Sequence, residues 1–422
     1  MSRYWLRLDN AALIFPAVRR QDWTNAFRVS AALQEDVDPG LLQQAVEDLA
    51  PRFPSFYVRL RAGIFWYYLE EVRKPPRVRP DFAYPLTHMG LRELHTCCLR
   101  VFYHKNRIAV EFFHSLTDGS GGMIYLKTLT ARYLTLRCGA EIPAEDGVLD
   151  WREAPKPEEL EDSFLRYSGK TALSRKEPTS YRLHGSREPD GFLHLTTGVI
   201  ETDALLRAAH SYDATVTAFL AAVMTKSILA IQTQRRYLGR LKPVKITIPV
   251  NLRRLFGSAT LRNFALTINP GVDPMLGHYT LRELCGIYTR QLALETTPKL
   301  MAARIAANVQ PQQLFLLKMA PLFVKNLAMR MVYADVGERK GCLNISNLGN
   351  VKLPAAMQPY IRRLDFIIGV QKTYPNNCSV ASCGNVTCIN MIRRIREPEL
   401  ERQFFSRLVE LGIPVTIESN ER

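Results

Sequence analysis

The sequence has no metal-ligand spacing. Its eight cysteines include the adjacent Cys97 and Cys98 and the evenly spaced Cys378, Cys383 and Cys388, but no Cys-x-x-Cys pair, and no histidine lies near the last three. Zinc sites draw on such close pairs, so no metal is expected. Uninterrupted apolar runs of bilayer length are also lacking, and no transmembrane segment is expected. The opening residues include Arg3, Arg7 and Asp9 without a continuous apolar stretch. No secretory signal is therefore expected, and the cysteine spacing agrees with a reducing cytoplasm as the expected location. No internal repeat or low-complexity run is evident. With no recognition motif for nucleic acid, that partner is not expected.

Acidic residues are scarce relative to basic ones. There are 56 Lys and Arg against 40 Asp and Glu, a net charge of +16, which suits an anionic ligand or simply a basic surface. The basic clusters at Arg73 to Arg79, Arg235 to Lys245 and Arg393 to Arg396 are too scattered to define one phosphate site. Apolar residues make up 47% and charged residues 23%, enough to bury substantial cores, and 422 residues suggest two or three domains.

Periodicity places the elements. Asp38 is positioned to cap a helix through Leu49. Phe56 to Ala62 and Ile64 to Val72 form a hairpin about Gly63, and His95 to Tyr103 with Arg107 to Phe113 form another, turning at Lys105 and Asn106. Helices are expected at Met123 to Leu136, from Asp203 with Thr202 as cap, at Thr215 to Ile231, and at Pro398 to Leu411. Further strands are expected at Leu193 to Ile200, Lys245 to Val250, Leu266 to Asn269, Leu343 to Ser346, Phe366 to Val370 and Val386 to Ile392. Proline, glutamate and serine accumulate from Pro143 to Pro189, marking a linker. The expected division is a lobe at 1–165, a linker at 166–192 and a lobe at 193–422, both lobes α+β. The basic, amphipathic stretch from Leu314 to Val332 is broken by Pro321. Two readings are open for it: peripheral contact with a membrane surface, or a buried helix whose lysines reach outward.

One segment carries chemistry. In Glu111-Phe112-Phe113-His114-Ser115-Leu116-Thr117-Asp118-Gly119, a strand runs into a turn that bears a histidine. Ile108, Val110, Phe112 and His114 share one strand face, so the imidazole is expected to project into a dry cleft. There a neutral ring can take a proton from a hydroxyl, thiol or amine. Gly119, Gly121 and Gly122 would let the backbone turn before the next helix. The structural alternative is a satisfied buried histidine beside a helix-capping Asp118.

The pattern His-x-x-x-Asp-Gly resembles the active-site motif of the CoA-dependent acyltransferase superfamily. That group includes chloramphenicol acetyltransferases, plant BAHD acyltransferases, peptide-synthetase condensation domains and wax ester synthases. Phe113 stands where condensation domains carry a first histidine; BAHD enzymes lack it too. Ile248-Pro249-Val250-Asn251-Leu252-Arg253 and Ile345-Ser346-Asn347-Leu348-Gly349-Asn350 resemble two further motifs, in the family's order. The opening Trp5 to Pro16, then Arg52-Phe53-Pro54 and Gly63 to Trp66, look like bacterial alcohol acetyltransferases. The BAHD Asp-Phe-Gly-Trp-Gly is absent.

The resemblance implies two chloramphenicol acetyltransferase-like lobes of mixed sheet and helices with a tunnel between them. It implies transfer of an acyl group, acetyl in the alcohol acetyltransferase branch, from acyl-CoA to an alcohol or amine, with no permanently bound cofactor. His114 would be the general base. Asp118 would turn from the ring and pair with Arg253, or with Arg254 as the fallback. Gly119 completes the motif. Ser346 or Asn347, or amides near Gly119, would donate to the oxyanion, unless the pair only shapes a turn. Two alternatives stand: a donor carried as a carrier-protein thioester, and a non-catalytic relative that binds a ligand or partner.

Overall fold

The computed structural model describes residues 4–20, 23–172, 177–234, 241–313, 319–333, 340–371 and 373–421. Their strands form two large sheets and one small one. The first large sheet has the order Ile361–Ile368, Ala26–Leu33, Arg107–Phe113, Leu99–His104, Arg79–Pro80. The second runs Ala265–Ile268, Val244–Asn251, Leu343–Asn350, Asn376–Cys383, Val386–Arg393, His194–Glu201, Thr416–Ser419, with Gly271–Val272 also paired to Val244–Asn251. Leu343–Asn350 lies parallel to both neighbours, so this sheet is mixed. Trp5–Arg7, Tyr67–Glu71 and Val58–Ala62 make the small sheet.

Each large sheet backs onto its own apolar core. Phe27, Val29, Val110 and Phe112 pack with Leu126 and Leu129 of helix Gly119–Cys138. Ile246, Ile248 and Ile389 pack with Phe219 and Val223 of helix Val216–Gln234 and with Phe404 of helix Glu399–Glu410. This is an α+β protein of two lobes. Asp38 caps helix Pro39–Asp48 by accepting from the amides of Gly40 and Leu41, and Pro39 occupies the first turn, where its missing N–H costs nothing.

Several expectations need correction. The strand expected at Phe366 to Val370 is Ile361–Ile368, and it pairs antiparallel with Ala26–Leu33 in the first lobe's sheet. A single cut at 166–192 therefore does not sort all strands between the sheets. The 143–189 stretch is also more than a tether. It holds short helices at Pro157–Leu160 and Ser163–Arg166, and Glu159 takes a bidentate, buried ion pair from Arg52 at 2.6 and 2.8 Å. Helix Val216–Gln234 is long and apolar enough by length and composition to cross a membrane, although Lys226 and several hydroxyl side chains interrupt its apolar run. In the structure 67% of its apolar window is buried, and Ala- and Leu-rich packing on all sides explains its composition. Thr202 is the first helical residue and not the cap, while Pro398 sits at the cap of the last helix.

The second basic cluster lies partly in 235–240, outside the described residues. In the third, Arg393 is fully buried and donates to Glu421 at 2.6 Å, which removes it as a phosphate ligand. Residues 314–318 are likewise outside the described set. The following helix, Leu322–Val332, exposes Phe323, Leu327 and Met331, whereas Lys325 turns inward and donates to the Phe65 carbonyl at 2.7 Å. Over the described part, Leu322–Val332, the helix is not a buried one with its lysine reaching outward.

Candidate active site

The strand that carries the motif is buried on both faces. Its Ile108, Val110 and Phe112 face the core, while Glu111 on the other face is paired with Arg28 at 3.2 Å and Arg100 at 3.1 Å. A buried carboxylate persists only with such partners. The chain continues the ladder one step beyond the strand, where the His114 amide donates to the Asn25 carbonyl at 2.9 Å. It then bends, and helix Gly119–Cys138 begins at once, four residues earlier than expected. Asp118 is its cap and accepts from the amides of Ser120 and Gly121 at 3.1 and 3.3 Å.

The glycines are there for proximity. None of Gly119, Gly121 and Gly122 has a positive φ. A Cβ on Gly121 would lie 2.1 Å from Thr117 Oγ1 and 2.4 Å from the Leu261 carbonyl oxygen. Thr117 donates to that same carbonyl at 2.6 Å, tying the turn to the segment after Val244–Asn251. Since a backbone oxygen cannot move aside cheaply, Gly121→Ala is expected to cost about 1–3 kcal/mol or more. Calorimetry would detect this as a lower melting temperature, and a variant that melts like the parent would contradict the packing argument.

His114 sits in the wall of a cavity of about 2070 Å³ lined by both lobes. Phe15 stacks on the imidazole at 4.4 Å and 11°, and Phe27 meets it edge-on at 5.1 Å. Its Nδ1 lies 3.2 Å from Asn263 Oδ1. Burial pushes the His114 pKa below the ordinary histidine value, partly offset by backbone hydrogen bonding, the charge of Asp118 and the contact with Asn263. That shift favours the neutral ring that a proton acceptor needs.

Asp118 points away from the ring. Its Oδ2 accepts from Arg253 Nη1 at 2.8 Å and from the Phe264 amide at 2.9 Å. Burial alone would raise its pKa, but Arg253 and the Phe264 and Gly121 amides hold it below the ordinary carboxylate value. Arg253 in turn donates to the carbonyls of Thr260, at 2.7 Å, and Arg262. It thus fastens the first lobe's helix start to the loop that follows Leu252. The fallback Arg254 is exposed and lines the cavity instead.

Gly119, Ser346 and Asn347 also line the cavity, but the last two differ. Asn347 Nδ2 donates to Thr217 Oγ1 at 3.1 Å, and its Oδ1 accepts from the amide of Gly349, which has φ +71°. Asn347 therefore shapes a turn. Ser346 has no such commitment to a partner among the described residues. All eight cysteines are free.

Sequence reasoning missed three residues here: Phe15, Asp9 and Asn263. Asp9 is fully buried; it accepts from the Ala12 amide at 2.7 Å and from Asn263 Nδ2 at 3.3 Å, with Arg262 Nε 3.7 Å away. Burial raises its pKa to about 6, against the pull of Arg262. Asp9 and Phe15 lie in the opening segment used for the family resemblance, but nothing there tied them to His114. No local pattern marks Asn263.

No protein-family model and no curated protein matches the sequence. Solved structures do match by shape. F. graminearum TRI101 complexed with ethyl coenzyme A superposes with a TM-score of 0.63 at 10% identity, covering 98% of this chain and 100% of that one. The epimerization domain from the third module of tyrocidine synthetase B gives 0.59 at 13% identity over 97% and 96%. The wax ester synthase/diacylglycerol acyltransferase from Marinobacter aquaeolei VT8 gives 0.54 at 12% over 96% and 100%. The fold is the one these structures share, with the expected two chloramphenicol acetyltransferase-like lobes, and the likeness runs along nearly the whole chain.

Proposed function

We propose that this protein is an acyltransferase that moves an acyl group from acyl-CoA to an alcohol or amine acceptor. The observation that carries the reading is a histidine stacked on Phe15, with its Nδ1 against Asn263, in the wall of a large cavity shared by two lobes. His114 takes the acceptor's proton as the acceptor attacks the thioester carbonyl. The tetrahedral oxyanion then collapses, the carbon–sulfur bond breaks, and the proton passes to the departing thiolate. Ser346, with its hydroxyl uncommitted, is the favoured oxyanion donor over Asn347. Asp118, Gly119 and Arg253 support the turn and do not touch the reacting atoms. TRI101, crystallised with ethyl coenzyme A, supports CoA as the donor's carrier, and acetyl is the first acyl group to test.

Thermal unfolding tests the donor. CoA is expected to raise the melting temperature, because a ligand that binds only the native state stabilises it. Acetyl-CoA incubated with the protein is expected to release free thiol slowly. Unmoved melting with both ligands would count against CoA and favour a carrier-protein thioester. Binding without thiol release, across a panel of alcohols and amines, would favour the non-catalytic reading.

A further inference from the structure

Two buried side chains behind His114 have no part in the mechanism so far. Asn263 sits between the histidine and Asp9. Its Nδ2 donates to the His114 backbone carbonyl at 3.0 Å and to Asp9 Oδ2 at 3.3 Å. The His114 carbonyl is an acceptor at any pH, and Asp9, whose pKa burial raises to about 6, is an acceptor only once ionised, at neutral pH and above. Turning the amide over would set Oδ1 against a carbonyl and a carboxylate, three acceptors facing one another with no proton between them. The orientation is therefore decided by the network. Oδ1 faces His114 Nδ1, and for a hydrogen bond to exist there Nδ1 must carry the proton.

We infer that Asn263, held in one orientation by Asp9, is a positioning residue that fixes the Nδ1–H tautomer of His114 and leaves the Nε2 lone pair free for the substrate. The inference rests on the reading of His114 as the base. It extends that reading, since a histidine protonated on Nε2 would present a donor to the acceptor and could not take its proton. The arrangement is a neutral counterpart of a carboxylate behind a catalytic histidine. The Asn263 amide, together with the backbone hydrogen bonds of His114 and Thr117 to the ring, favours the imidazolium less than a carboxylate would, so burial still leaves the imidazole with lowered basicity. Among the described residues, the charged groups packed about this network include Arg262 and Asp162 beside Asp9, and Asp118 with Arg253 on the other side, while Arg254 lines the same cavity.

The test joins a spectroscopic readout to a kinetic one. In protein with ¹⁵N-labelled imidazoles, the resonances absent from His114→Ala identify His114. At pH above its titration, Nδ1 is expected in the protonated shift range and Nε2 in the unprotonated range; the reverse would overturn the inference whatever the enzyme does. Asn263→Ala is expected to lower kcat by about tenfold or more, within the roughly 10²–10⁴-fold that a base contributes, with KM for the acyl donor unchanged. Asn263→Asp puts a second carboxylate beside the ring, favours the imidazolium, and is expected to move the acid limb of the kcat/KM profile to higher pH. An acid limb that stays in place would also overturn the inference, because a residue that merely fills space would leave it there. Full turnover in His114→Ala would instead sink the base reading, while the tautomer measurement would still report on Asn263 alone.

Discussion

His114→Ala is expected to lower turnover by about 10²-fold or more while leaving the fold nearly intact. The side chain is half-buried in the cavity wall, so its removal opens no closed apolar core. What the variant loses structurally is the Phe15 stack, worth about 0.5–1.5 kcal/mol, and one hydrogen bond to Asn263, whose Oδ1 then faces a cavity with room for water. The parent's pH profile follows from the same surroundings. Burial depresses the histidine's pKa, so the base is unprotonated at neutral pH, and the acid limb is expected below the range of an ordinary histidine. Steady-state kinetics with a thiol-detecting reagent measure both. Full turnover in the variant would end the assignment of His114 as base, and an acid limb above the ordinary histidine range would contradict the account of its environment.

The sequence made local features legible and hid the ones assembled across long separations. His114, Asp118 and Gly119 are contiguous, so strand alternation and motif spacing could single them out together. The ion pair between Asp118 and Arg253 spans 135 residues yet was anticipated, because Arg253 ends a second recognisable motif. Asn263 and Asp9 lie 254 residues apart, each in a segment with no chemical pattern of its own, and only folding shows that they meet. Strand Ala26–Leu33 escaped notice for a physical reason. All eight of its residues are buried, so it lacks the alternation of a half-exposed strand, and Arg28 reads as a surface residue until its partners Asp81 and Glu111 are known. The helix expected at Thr215 to Ile231 forms as Val216–Gln234, and its place in a core depends on neighbours that periodicity does not reveal. The helix start at Gly119 was placed too late because the glycines looked like a turn, whereas they sit in a first turn packed against Phe27, Leu261 and Phe366.

Asp118→Ala and Arg253→Ala are expected to be the most destabilising changes at the site, by a route distinct from that of His114. The two side chains are 9% and 11% exposed and meet at 2.8 Å, and removing either leaves a buried charge without its partner, which costs about 3–5 kcal/mol. Asp118→Ala also strips acceptors from the Ser120, Gly121 and Phe264 amides, so it is expected to be the worse of the two. Because the carboxylate's folded pKa lies below its unfolded value, its contribution is present at neutral pH and fades as pH falls through the acidic range below the ordinary carboxylate value. The two single variants should therefore differ least from the parent in acid and most near neutrality. Turnover is expected to fall with stability, since the pair anchors the turn that presents His114 to the cavity. The double variant removes both charges, so its loss should be smaller than the sum of the singles. Denaturant melts of the four proteins at neutral and acidic pH measure the coupling. Strict additivity at neutral pH, or an Asp118→Ala protein as stable as the parent, would show that the pair does not fasten the two lobes.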